Sequence, residues 1–407
     1  MVLVLVVCAA ATIVGATVVG VTRVGARATP GGMDSPASLS PGTAAPEASS
    51  SAPVPSGEPV RCAQESAMAQ WPIRRRLAQL LIVGVDASGP REALSVVTSE
   101  QVGGIFLAGS GTGLLSGGAL DQVQDAATVP VAVAVDDEGG RVQRIDALDG
   151  SLPSARSMRR NLSLEQVYAL AVERGNQLLA RGVTVDFAPS VDVSGQPNNA
   201  VIGDRSFSDD PEIVARYAGA FARGLRDAGV LPVFKHFPGH GRATGDSHRG
   251  EVSTPPLAEL RDVDLLPYRQ LLDSHPTGVM VGHLDVPGLT EPGTPASISP
   301  AALALLRDQL GFDGMVVTDD LGAMAAITER VDLPDAVRRS LAAGVDMALW
   351  ITTERLTEVL DHLERAVADG SLPESRVNEA VARVLAAKDV NLCAVVDQAP
   401  GVGEPGR

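Results

Sequence analysis

Fourteen residues from Lys235 to His248 hold three of the chain's six histidines. Read in order they are Lys235-His236-Phe237-Pro238-Gly239-His240-Gly241-Arg242-Ala243-Thr244-Gly245-Asp246-Ser247-His248. They follow an apolar run, Val230-Leu231-Pro232-Val233-Phe234, that reads as a buried strand. Imidazole, ammonium and carboxylate groups at a strand end, carried into a glycine-rich loop, form an acid–base set at the rim of a sheet. A solvated loop that merely contains histidine is the bland alternative, but loops placed by strands more often carry function than packing. A metal set is the other alternative, because His236 and His240 are four apart and Asp246 and His248 follow. That spacing joins two ligands on a helix, and Pro238, Gly239 and Gly241 oppose a helix there. No metal and no cofactor is therefore expected.

The elements that must position these groups can be counted. Eight short runs rich in Val, Ile or Leu are Leu80 to Val85, Gly104 to Leu107, Val129 to Val135, Val183 to Ala188, Val230 to Phe234, Gly278 to Val281, Met315 to Thr318 and Val345 to Trp350. Stretches with helical spacing separate most of them, among them Leu164 to Leu179, Pro211 to Ala228, Leu257 to Leu272 and Pro300 to Leu310. Ser163, Asp209 or Asp210, and Ser299 are predicted caps, with Gln166 completing a capping box. Continuous apolar strands alternating with helices imply a parallel sheet covered on both faces. Eight such units predict an α/β fold of the (β/α)₈ TIM-barrel type, as a single catalytic domain. No glycine-rich nucleotide-binding signature follows the first strand.

A barrel places its chemistry where strands end. The third strand is followed by Asp136-Asp137-Glu138-Gly139-Gly140-Arg141 and Arg144, the fourth by Asp192 and Gly203-Asp204-Arg205-Ser206-Phe207. The fifth delivers Lys235 and His236, the sixth His283 and Asp285, the seventh Asp319 and Asp320. Asp320 alone reads as a helix cap. Five strands ending in charge together imply a polar ligand, because buried charges cost several kcal/mol unless paired. With no thiol nucleophile and no Gly-x-Ser-x-Gly elbow, the set fits a polyhydroxylated substrate flanked by two reacting groups.

From Gln79 to Lys388 these segments, with Asp186-Phe187-Ala188-Pro189 and Thr318-Asp319-Asp320-Leu321, resemble glycoside hydrolase family 3, in particular its single-domain β-N-acetylhexosaminidases. The resemblance implies a retaining exo-β-N-acetylglucosaminidase that releases terminal GlcNAc, with peptidoglycan fragments such as GlcNAc-MurNAc as substrate. It implies Asp319 as nucleophile, His248 as acid/base with Asp246 as its partner, and Asp136, Arg144, Arg205, Lys235 and His236 as sugar-binding residues. Phosphate as an alternative acceptor follows from the same resemblance, since an imidazole base repels an anion less than a carboxylate does. Asp137 stands where the family usually has Gln, and Arg242-Ala243-Thr244-Gly245 departs from the common run. Gly241 and Gly245 suggest a loop that carries His248 in and out of the site. Other readings are a family 3 β-glucosidase and a non-catalytic wall-binding barrel. Trp350 is read either as a sugar-stacking platform or as core.

The charge balance of −16 and the 3 % aromatic content argue against a nucleic-acid partner. Residues Val2 to Thr22 carry no charge, so 1–28 reads as a signal peptide or membrane anchor, and Ala26-Arg27-Ala28 as a cleavage site. No basic residue precedes the run, which suggests that the natural sequence starts further upstream. Residues 29–60 form a Pro/Ser/Ala-rich linker, 61–390 the barrel and 391–407 a tail. An extracytoplasmic, monomeric protein is expected, with Cys62 and Cys393 as a candidate disulfide.

Overall fold

The computed structural model describes Met68 and residues 70–274 and 276–391. The expected signal or anchor, the linker, Cys62, Cys393 and the tail beyond Asn391 lie outside the described residues.

All eight expected strands form: β1 (Leu81–Asp86), β2 (Gly104–Ala108), β3 (Ala132–Val135), β4 (Val185–Asp186), β5 (Leu231–Phe237), β6 (Gly278–Val281), β7 (Met315–Thr318) and β8 (Ala348–Trp350). They are parallel in the order β7-β6-β5-β4-β3-β2-β1-β8. A parallel bridge between Val317 and Met347 brings β7 and β8 together, so the sheet is a nearly closed barrel. Helices lie between most strands, as in a TIM-type barrel. The strands are buried almost throughout, which is why they read as continuous rather than alternating apolar runs.

The helices follow their local signals. Ser163 and Gln166 form the reciprocal capping box of helix Leu164–Ala180. Asp210, not Asp209, accepts from Glu212 and Ile213 N–H to cap Pro211–Asp227, and Ser299 accepts from Ala302 N–H. Val214, Ala218, Phe221 and Leu225 form the buried face of Pro211–Asp227, at the i, i+4, i+7 spacing of an amphipathic helix. Two expected helices depart from the pattern. Leu257 to Leu272 breaks into Leu257–Asp262 and Leu265–Leu271, and Asp264 between them turns inward, 1 % exposed. Pro300 to Leu310 runs as α-helix only to Ala304 before widening into a π-turn over Leu305–Gln309.

The two ends of the barrel hold different chemistry. At the end where strands begin, Asp346 is fully buried and takes hydrogen bonds of 2.5 Å from Arg307 and from Arg376, tying the last helix to β8. The opposite end carries the loops after β3, β4, β5 and β7, and these build the site.

Candidate active site

A cavity of about 380 Å³ opens at the end of the barrel where the strands finish. Asp136, Arg144, Arg205, Lys235, His236, His248 and Asp319 all line it, although they come from four different strands, β3, β4, β5 and β7, and the loops after them. Asp246 does not line it. It stands behind His248, whose Nδ1 is 3.1 Å from Asp246 Oδ1. The eight residues singled out in the sequence are therefore one constellation.

β5 runs on through Lys235, His236 and Phe237 instead of stopping at Phe234, so two cationic or polar side chains leave a fully buried strand. The Lys235–His236 and Phe237–Pro238 peptide bonds are cis. Lys235 is 1 % exposed and meets Asp136 at 2.5 Å and Glu138 at 2.6 Å. Burial works against its charge, but Asp136 and Glu138 outweigh burial and hold its pKa above the usual lysine range. Glu138 is buried as well, and Arg205 and Lys235 overcome that burial to hold its carboxyl far below the usual range. Two acids and two bases thus form one ionised network, which is how charge is tolerated in a dry wall.

Arg205 Nη2 lies 3.3 Å from His236 Nε2. On the other side of the ring, His236 Nδ1 donates to the Asp192 carboxylate, Oδ2, at 2.7 Å. Asp192 also accepts from His240 N–H at 2.7 Å. Burial opposes its charge, but His236 and His240 hold its carboxyl below the usual range. The sequence marked Asp192 and Glu138 only as polar residues at strand ends. Their signal was an acid placed next to bases that also had to be buried, and it needed the third dimension to be read.

Asp319 ends β7, and its Oδ1 accepts from Asp320 N–H at 2.9 Å. Burial raises its carboxyl pKa, but His236, His283 and that N–H outweigh the rise, so it lies below the usual range. A carboxylate that stays charged in a closed cavity is suited to attack or to stabilise a cationic sugar. His283 is 1 % exposed and lies behind the cavity wall, donating from Nε2 to the Asp320 carbonyl at 2.8 Å and accepting at Nδ1 from Ser297 at 2.7 Å. Burial lowers its pKa, while Asp319 and the hydrogen bond to Asp320 act against that lowering. Asp320 does not cap a helix as expected. Its Oδ1 accepts from Gly322 and Ile351 N–H and closes a turn onto the end of β8.

His248 is the exposed member, with 64 % of its side chain open. It rides on a loop whose limbs pair through Thr244 and Ser253, and whose tip is held by a hydrogen bond from Ala326 N–H to the Ser247 carbonyl. Asp246 faces His248, whose N–H and ring outweigh partial burial and keep the carboxyl below its usual range. Gly241 has a packing reason to be glycine: a Cβ there would lie 2.2 Å from the Val193 carbonyl oxygen. Gly245 retains a backbone suited to a pivot, with φ of +102°. Asp137 points away from the cavity, fully buried. It accepts from Arg144 and Ile145 N–H and so sets where Arg144 emerges. Trp350 is core: it is fully buried and donates from Nε1 to the Glu354 carbonyl.

The Glycosyl hydrolase family 3 N terminal domain model matches residues 72–387. The chain belongs to that family. It is 51 % identical over 354 residues to the β-hexosaminidase LpqI of Mycobacterium tuberculosis, covering 84 % of this chain and 90 % of that relative. The crystal structure of a family 3 glycosyl hydrolase from Mycobacterium smegmatis superposes with a TM-score of 0.76 at 52 % identity, over 79 % of this chain and 98 % of that one. A family 3 β-N-acetylglucosaminidase from Paenibacillus gives 0.75 at 31 % identity, over 82 % of this chain and 65 % of that one. As a family 3 glycosidase, the chain has a carbohydrate substrate, and the cavity supplies the two kinds of group that a glycosidic bond needs.

Proposed function

We propose that this glycosidase is a retaining exo-β-N-acetylhexosaminidase that removes terminal β-linked GlcNAc, with peptidoglycan fragments such as GlcNAc-MurNAc as its substrate. The observation that carries the reading is the convergence of the Asp319 carboxylate and the Asp246-supported His248 imidazole on one cavity of single-sugar size. Asp319 attacks the anomeric carbon while His248 gives a proton to the departing glycosidic oxygen. His248 then takes a proton from water, which attacks the same carbon and frees Asp319. Two displacements at one carbon return the original configuration.

The walls fit this assignment. Asp136, Lys235, His236, Arg205 and Arg144 present a fixed array of donors and one free-facing acid to a ring of hydroxyls and an acetamide. One imidazole can give a proton in the first step and take one in the second, and Asp246 beside it stabilises the imidazolium. The apolar stretch of residues 2–22 supports export, which places the enzyme on the wall side of the membrane, secreted or tethered.

The decisive assay compares nitrophenyl β-GlcNAc with nitrophenyl β-glucoside, alongside mass spectrometry of sugars released from purified wall fragments. Turnover of the GlcNAc glycoside, with β-GlcNAc as the first product by NMR, is expected. Preference for the glucoside, or an α product, would refute the reading.

A further inference from the structure

The loop that carries Asp246 and His248 has one ion pair at the root of its ascending limb. Arg242 donates from Nε at 3.0 Å and from Nη2 at 2.6 Å to the same oxygen, Oδ2, of Asp264. Nη2 also donates to the Glu259 carbonyl at 3.1 Å. Asp264 is 1 % exposed, and no other cation bonds it among the described residues. It reaches Arg242 because the helix from Leu257 is broken at Val263, which turns the aspartate inward. Gly239 completes the fit: a Cβ there would lie 2.5 Å from Asp264 Cβ.

Arg242 precedes Asp246 by four residues and His248 by six. Beyond it the limb has the Thr244–Ser253 pairing and then the Ser247 carbonyl bonded to Ala326. The descending limb has its own anchor, since Arg330 bridges Glu251 of the loop to Asp285 after β6. On the ascending limb the ion pair to a buried acid is Arg242's, supplemented by a hydrogen bond of 3.4 Å from Gln196 Nε2 to the Ala243 carbonyl. A guanidinium held by two bonds to one buried oxygen fixes direction as well as distance.

We propose that Arg242 and Asp264 are positioning residues for proton transfer: their ion pair sets the ascending limb so that the Asp246–His248 dyad stands over the cavity. Neither residue lines the cavity. The inference rests on the reading of His248 as acid/base and names what aims it.

The test uses the full chain and kcat/KM, which reports the glycosylation step. Two β-GlcNAc substrates are compared, a 2,4-dinitrophenyl glycoside whose leaving group needs no proton and a GlcNAc disaccharide whose leaving group does. Arg242→Gln is expected to lose roughly 10- to 100-fold on the disaccharide, as misplaced proton donors do, and less than about threefold on the dinitrophenyl glycoside. Arg242→Lys should recover only part of the loss, because it restores a cation to Asp264 but not the second hydrogen bond that fixes direction. Asp264→Asn should repeat the pattern of Arg242→Gln. Arg242 is 30 % exposed, so its variants test the pair even where Asp264→Asn does not fold. Equal losses on both substrates, or no loss in Arg242→Gln, overturn the inference. His248→Ala is the reference: if it too lacks a leaving-group dependence, the acid/base reading itself falls, whereas if it shows one and Arg242→Gln does not, only the positioning role falls.

Discussion

Glu138 and Arg205 meet through two parallel hydrogen bonds of 2.7 and 2.9 Å, one from Nη2 and one from Nε. Glu138 Oε1 also takes Lys235 at 2.6 Å. One carboxylate from the β3 loop therefore fixes two cations that arrive from the β4 loop and from β5. Two cavity-lining cations are thus held through an acid that does not itself line the cavity.

Glu138→Gln should leave those two cations short of a counter-charge inside the wall. Removing one partner of such a network destabilises by about 3–5 kcal/mol. A lowered denaturation midpoint is expected together with a raised KM for nitrophenyl β-GlcNAc. An unchanged midpoint and KM would show that Asp136 alone supports Lys235 and Arg205.

Asp319→Asn keeps the shape of the β7 turn, since the amide oxygen can still accept from Asp320 N–H. It removes the charge that His236 and His283 stabilise. Turnover should fall by roughly 10³-fold or more, the scale seen when a nucleophile is lost, with the folded state intact by circular dichroism. Residual activity within tenfold of the parent would move the nucleophile elsewhere.

Trp350→Phe separates the two readings of that indole. A buried tryptophan that hydrogen-bonds Glu354 should cost about 1–3 kcal/mol of stability when trimmed and leave KM within twofold. A large KM change at unchanged stability would restore the sugar platform.

Lys388 gives a dependence on pH remote from the site. Its stem is half-exposed, but its ammonium turns inward to Gln79 Oε1 at 2.9 Å and the Gly103 carbonyl at 3.3 Å, and burial lowers its pKa to about 7. In an unfolded chain a lysine titrates near about 10.4. Between these values the unfolded chain holds a proton that the folded chain has lost, so stability rises as pH climbs from 7 to 10 and is flat below 7. Lys388→Met should exceed the parent by about 1–3 kcal/mol at pH 7, after its lost hydrogen bonds are counted, and the order should reverse by pH 10, where the parent keeps those bonds at little cost in deprotonation. Urea denaturation at both pH values checks this. A gap that is constant with pH would mean that Lys388 is charged throughout.

The residue order alone was enough for the barrel and for most of the site. Eight β-branched runs alternating with capped amphipathic stretches have one economical parallel arrangement, because each strand is buried on both faces and each helix has one apolar side. The residues at the ends of those runs, from Asp136 to Asp319, then had to share one rim. Local signals also placed Ser163 and Ser299 correctly and narrowed the third cap to Asp209 or Asp210, of which the structure uses Asp210, since a cap depends on neighbours within three residues.

Pairings across the rim were decided only by the tertiary structure. That Asp192 serves His236, that Glu138 serves Arg205 and Lys235, and that Asp264 breaks its helix to reach Arg242 all join residues 22 to 97 positions apart. Such contacts leave no periodic trace, because they depend on which burial cost a charge must offset and on which opposite charge lies within reach. Trp350 and Gly241 make the same point from the packing side. An indole at a strand end suits two roles, and the buried surroundings of Trp350 with its bond to Glu354 make it core, while the close approach of Val193 gives Gly241 a packing reason that the sequence did not show.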